Sequence, residues 1–257
     1  MRLSIHYPSL LVLFYYAGFP NQAFIGSNTQ HPTPSSISGV QGSTPQLYFI
    51  DPPSFSRPFL KVNFFGSSHL KSLPEPLRKI RKQYPWLLPF NSQSFDAKGG
   101  RPMGEKEVRS IIGKIRRAIG PTVLVLINGS NSLRDSGEPS LVCGEFRQVL
   151  EYGKGFGHVH IVIVSIIPSV REDARMRFAK ASAMLKDLTK EYQNSSFLNM
   201  APFLCPQGKI VKKYFVSTAL KSDGTEKNVH LNSKFGAPLL ARSILCHIAR
   251  CAKNQFI

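Results

Sequence analysis

Thr122-Val123-Leu124-Val125-Leu126-Ile127-Asn128 runs straight into Gly129-Ser130-Asn131-Ser132. The first part is β-branched or apolar at both odd and even positions, so neither side of it suits water. Gly120-Pro121 before it and Gly129 after it mark its ends. It reads as a strand buried on both faces. His158 to Ile167 (HVHIVIVSII) repeats the pattern and stops at Pro168. Strands of this kind sit inside parallel sheets that are covered by helices on both sides.

The segments around these two strands supply the helices. Glu105 to Ile119 places Val108, Ile111, Ile112, Ile115 and Ile119 on one helical face, and Gly120-Pro121 ends it. Leu141 to Tyr152 reads as helix, as does Arg171 to Tyr192, where Ala174, Phe178, Ala181, Leu185 and Leu188 fall in register. Leu77 to Tyr84 is a short basic helix among prolines, and Phe235 to Ala252 is a closing helix. Phe59 to Phe65, Trp86 to Phe95, Phe197 to Phe203 and Lys209 to Val216 are the remaining strand candidates. Strands alternating with helices of this length predict βαβ units, with the active site at the carboxyl ends of the strands.

The chain has 257 residues, and its 42% apolar content is enough for one sizeable core. Residues 1–58 read as a leader: an apolar run from Leu10 to Phe19, then a stretch rich in Ser, Pro, Gly and Gln with almost no charge. The apolar run is too short to span a bilayer. It resembles a weak signal peptide, but it lacks a clean small-residue cleavage site, and a cytoplasmic location is favoured over secretion. The domain is expected over 59–257, as a monomer with no transmembrane segment. Four cysteines, Cys143, Cys205, Cys246 and Cys251, show no CxxC spacing, so neither a zinc site nor any other metal is expected. His158 and His160 alternate on a strand and read as packing residues rather than ligands.

The net charge is +18. A field of that size attracts polyanions without specifying a fold. Lys71, Arg78, Lys79, Arg81, Lys82, Arg109, Lys114, Arg116 and Arg117 crowd the region between the first and third strands. The default for such runs is a solvated helix face. If Arg78, Lys79, Arg81, Lys82, Arg109, Arg116 and Arg117 formed one patch, it would bind nucleic-acid phosphates in a salt-dependent way.

Polar clusters close the strands. Gly66-Ser67-Ser68-His69 ends the first, Gly129-Ser130-Asn131-Ser132 the third, and Val229-His230-Leu231-Asn232 precedes the last helix. A serine hydroxyl becomes a useful nucleophile once a base takes its proton, and His230 is placed to do so. An asparagine amide and backbone N–H groups can hold the developing oxyanion.

These blocks resemble the SGNH hydrolases, also called GDSL esterases or lipases. The resemblance runs from Phe59 to Ala252, with Ala97-Lys98-Gly99-Gly100 as the second block between the first and third. It implies a three-layer α/β/α sandwich with a five-stranded, mainly parallel sheet of flavodoxin-like order. It also implies a serine esterase without cofactor that acts on small acyl esters. Residue by residue, Ser68 is the nucleophile, His230 the base, and Gly100 (rather than Gly99) and Asn131 the oxyanion hole. The sequence departs from the family in its acids. Ser67 and Ser132 replace two aspartates, and Lys227 stands three before the histidine, where the family has a third. Asp223-Gly224 resembles that acid displaced by four residues, which makes Asp223 the candidate triad acid, with Glu226 second. The family's Oskar-type branch has lost catalysis and gained RNA binding. The missing acids and the basic charge therefore keep open an alternative: a weakened or inactive domain that binds RNA or DNA.

Overall fold

The computed structural model describes residues 60–83, 90–97, 102–134, 137–216 and 230–255. Five strands form one sheet: β1 (Leu60–Gly66), β2 (Phe90–Ala97), β3 (Thr122–Ile127), β4 (Val159–Val164) and β5 (Ser195–Leu198). Their spatial order is β2-β1-β3-β4-β5, and every pair is parallel. The expected flavodoxin-like order is borne out. β3 and β4 are buried at every position, as their two-sided apolar composition requires. The leader, 1–58, lies outside the described residues.

The described residues hold seven α-helices in chain order: α1 (Pro74–Gln83), α2 (Glu105–Arg116), α3 (Ser130–Leu133), α4 (Pro139–Gly153), α5 (Glu172–Thr189), α6 (Ala201–Leu204) and α7 (Gly236–Gln255). They divide between two cores. On one face of the sheet, Val62, Phe64, Val123 and Val125 pack with Leu73, with Leu77 and Ile80 of α1, and with Leu240, Ile244 and Ile248 of α7. On the other, Phe65, Leu124 and Leu126 pack with Ile111 of α2, Phe146 of α4 and Phe178 of α5. Alternate residues of one strand feed opposite cores because strand side chains point alternately up and down. Phe64 also stacks on its register partner Phe95 of β2, with ring centroids 4.8 Å apart. Truncating a fully buried residue such as Phe146 to alanine costs roughly 3–5 kcal/mol.

Two sequence expectations change. Lys209 to Val216 is not a strand. It holds a 3-10 turn at Lys212–Tyr214 and one antiparallel bridge, Phe215 to Leu231. Its β-branched residues suit a strand, but only Phe215 meets a ladder partner. Phe197 to Phe203 also splits: β5 ends at Leu198 and Ala201–Leu204 turns helical. His158 and His160 are packing residues, as read. The His158 ring lies 3.1 Å from the Ala118 carbonyl, and His160 Nε2 lies 2.8 Å from Ser196 Oγ. The four cysteines are free, and no metal-holding cluster occurs among the described residues.

The basic residues change in meaning too. Arg78, Lys79, Arg81 and Lys82 are on α1, whereas Arg109 and Arg116 are on α2, with Arg117 just after it. The two helices pack against opposite faces of the sheet. A single patch of all seven does not form, because consecutive crossover helices were placed on opposite sides by the strand order β2-β1-β3.

Candidate active site

The site lies where β1 and β3 end. Gly66 closes β1, and a Cβ there would meet the Ile127 carbonyl oxygen at 2.1 Å. Glycine is needed for that approach. It lets Ser67 N–H donate to the same oxygen at 2.9 Å, which turns the chain off the sheet. Ser68 then opens a 3-10 turn, Ser68–Ser72, at the carboxyl edge. Gly129 does similar work after β3. Its φ of +100° favours a residue without a side chain, a Cβ there would crowd Ile166 and Val142 at 3.2 and 3.3 Å, and α3 begins at the next position.

His230 arrives from the other end of the domain. Phe215 and Leu231 pair, Val216 N–H donates to the His230 carbonyl, and the Asn232 side chain binds the carbonyls of Lys213 and Phe215. Asn232 Oδ1 also accepts from Phe235 and Gly236 N–H, which caps the start of α7. So fixed, His230 Nδ1 lies 3.3 Å from Ser68 Oγ, although 162 positions separate the two residues. With Nδ1 unprotonated, the hydroxyl donates to it.

Asn131 stands one residue into α3. Its Oδ1 accepts from Arg134 Nη2 at 2.7 Å. Ser132, where the family has an acid, donates to the Met103 carbonyl and accepts from Met103 N–H at 2.8 Å. Asn128 is buried and its Oδ1 accepts from Gly129 N–H. Ser67, at the first acid position, is buried. Gly100, Asp223 and Glu226 lie outside the described residues.

His69 is the second imidazole of the site. It is buried, meets the His230 ring edge-on at 5.4 Å, and has no hydrogen-bond partner at Nδ1 among the described residues. Together with Ser67, Asn128, Ser130 and Ser165 it lines a small cleft. Burial, then the charge of His230 and Arg134, hold its pKa down at about 3. His69 is therefore neutral near pH 7. His230 is also held below the usual imidazole value, first by burial and then by Arg134 and Lys71. Each of these influences opposes the imidazolium form.

Arg134 escaped the sequence reading altogether. Its one signal is its spacing, three residues after Asn131 on a helical turn. Lys71 was visible only as one of a crowd of basic residues.

No protein-family model and no curated protein sequence matches the chain. Solved structures do. A GDSL-like lipase from Bacteroides thetaiotaomicron is similar at a TM-score of 0.54 and 14% identity, over 76% of this chain and 88% of that one. A member of the lipolytic G-D-S-L family from Veillonella parvula has a TM-score of 0.54 and 16% identity, over 72% and 96%. A lipase/acylhydrolase from Enterococcus faecalis has a TM-score of 0.54 and 14% identity, over 75% and 97%. The chain has the SGNH hydrolase fold. The resemblance of its four blocks is thus borne out at the level of the fold, in a divergent sequence.

Proposed function

We propose that the domain is a serine ester hydrolase that works through an acyl-enzyme at Ser68. The observation that carries this reading is the 3.3 Å approach of Ser68 Oγ and His230 Nδ1 at the carboxyl edge of the sheet. In the reaction, His230 takes the hydroxyl proton as Ser68 Oγ attacks the ester carbonyl. The amide of Asn131 donates to the oxyanion, with the Gly100 N–H as the second donor. His230 then gives its proton to the leaving alkoxide. A water, deprotonated by the same ring, releases the acid and restores Ser68. Asp223 is the proposed acid behind His230. The substrates are small acyl esters, and no step calls on a metal or cofactor.

Hydrolysis of a 4-nitrophenyl ester tests this. Ser68→Ala is expected to lower kcat/KM at least ~100-fold, and His230→Ala similarly. Unchanged turnover in Ser68→Ala would remove the nucleophile assignment.

A second reading is favoured by a different observation. Described segments 68–83, 201–216 and 230–255 hold one acid, Glu75, against twelve lysines and arginines. All three segments contribute to the same core. Phe203 and Phe235 are exposed there, and Lys213 and Lys234 lie over the rings of Tyr214 and Phe235. Lysines among exposed aromatics suit single-stranded nucleic acid: phosphates meet the charges and bases stack on the rings. Titration of labelled single-stranded RNA across salt concentrations tests this. Binding without salt dependence would end it.

A further inference from the structure

We propose that the Ser68 site selects esters carrying a negative charge near the scissile bond, with Arg134 and Lys71 as its specificity-determining residues. The proposal rests on the hydrolase reading for its chemistry and on separate observations for its charge preference.

Lys71 comes three residues after Ser68 on one 3-10 turn. Side chains at that spacing on a 3-10 helix eclipse, so Lys71 stands over the nucleophile. It is exposed and has no acidic partner among the described residues. Arg134 approaches from the β3 side. Its guanidinium is held by Asn131 Oδ1 at 2.7 Å. Its backbone is pinned by Arg177, whose Nε and Nη2 donate to the carbonyls of Leu133 and Arg134 at 3.0 and 2.9 Å. Arg177 is itself tied to Asp173. Other arginines of the domain, Arg147 and Arg171 among them, are occupied by carboxylates. Arg134 is fixed in place yet paired with an amide oxygen, which neutralises nothing.

Both cations act on His230, which must carry a positive charge at the transition state. A neutral ester gives that imidazolium no help against them. A carboxylate or phosphate on the acyl or alcohol part of the substrate would meet Arg134 and Lys71, screen them from His230, and make the proton transfer easier. The substrate would thus supply at the site part of what a triad acid supplies elsewhere. The Arg134 fork suits a planar or tetrahedral oxyanion, and Lys71 adds a point charge.

A matched pair of substrates gives the test: 4-nitrophenyl butyrate and the 4-nitrophenyl monoester of succinate, of equal chain length. In the full chain, kcat/KM for the succinate ester is expected to exceed that for butyrate by about tenfold, after subtraction of each ester's spontaneous breakdown, which for the succinate ester is assisted by its own carboxylate. Arg134→Gln should cut that ratio at least ~5-fold and Lys71→Gln by less. An unchanged ratio in the double variant overturns the proposal. A second arm needs no turnover. Ser68→Ala is titrated with succinate monomethyl ester and with inorganic phosphate while the His230 imidazole is followed by NMR. Binding that raises the His230 pKa, and is lost in Ser68→Ala with Arg134→Gln and Lys71→Gln, supports the charge preference even if no ester is hydrolysed, in which case the hydrolase reading alone fails. Absence of binding, or binding unaffected by the two substitutions, overturns it.

Discussion

The two helical layers of this domain share one sheet and differ in charge. The layer with α2, α4 and α5 spans segments 102–117, 137–156 and 170–192, with thirteen lysines and arginines against nine acids. Its charges pair across and along helices: Arg147 with Glu191, Arg109 with Glu105, Lys190 with Asp187, and Arg171 and Arg177 with Asp173. Exposed pairs of this sort add little stability, but they cancel the field. Among its described residues, the layer with α1, the 201–216 segment and α7 has one acid, Glu75, shared by Arg78 and Lys79. The +18 of the chain is therefore not spread evenly over the domain. Total charge suggested a polyanion partner. Under the nucleic-acid reading, its distribution points to the layer with α1 and α7.

The candidate site sits at the edge between these layers, and removing Ser68 gives the largest effect expected. The next largest bears on the comparison itself. Lys212→Glu with Lys213→Glu and Lys234→Glu should weaken single-stranded RNA binding at least ~10-fold and reduce the salt slope by about 2, since each phosphate contact contributes ~0.7. Arg109→Glu with Arg116→Glu and Arg117→Glu, on the paired layer, should change affinity under ~3-fold, as measured by fluorescence anisotropy. Equal losses from the two sets would break the comparison. Phe235→Ala should cost ~1 kcal/mol of RNA affinity with an unaltered salt slope, because stacking releases no counterions.

Two pH effects sharpen the contrast further. Since His230 must be neutral to act as base and its pKa is lowered, kcat/KM should rise with pH through a midpoint below the usual 6.5. The pH–rate profile reads that midpoint directly. On the paired layer, burial and then the Glu107 charge push Glu145 up to about 7, and its Oε2 is buried without a hydrogen bond among the described residues. The folded state thus holds this proton more tightly than the unfolded state does. The resulting stability is full below the ordinary value of 4.5 and fades as pH rises through about 7. Relative to the parent, Glu145→Gln should therefore gain in Tm between pH 5 and pH 8, a small shift measurable by thermal melts.

Much of this was legible in the residues. Apolar content at both alternating sets of positions identified β3 and β4, because burial on both faces leaves no polar position. Helical periodicity located α2, α4, α5 and α7. Gly66-Ser67-Ser68 and Gly129-Ser130-Asn131 marked strand ends, because close backbone approach and a left-handed turn call for glycine whatever the rest of the chain does. Lys209 to Val216 misled, since β-branched composition records what a segment tolerates and not whether a neighbour exists to pair with it.

The sequence by itself determined β1, β3 and β4, most of the helices, and the position of Ser68 at a strand end, because these follow from local periodicity and backbone sterics. Only the tertiary structure decided that α1 and α7 share a layer from which α2 is absent. Which face a crossover helix covers depends on strand order, and that is a property of the whole sheet. It also decided that His230 meets Ser68, and that Lys71 and Arg134 stand beside them. Electrostatic influence falls off with distance in space, and residues far apart in sequence become neighbours only once the chain has folded.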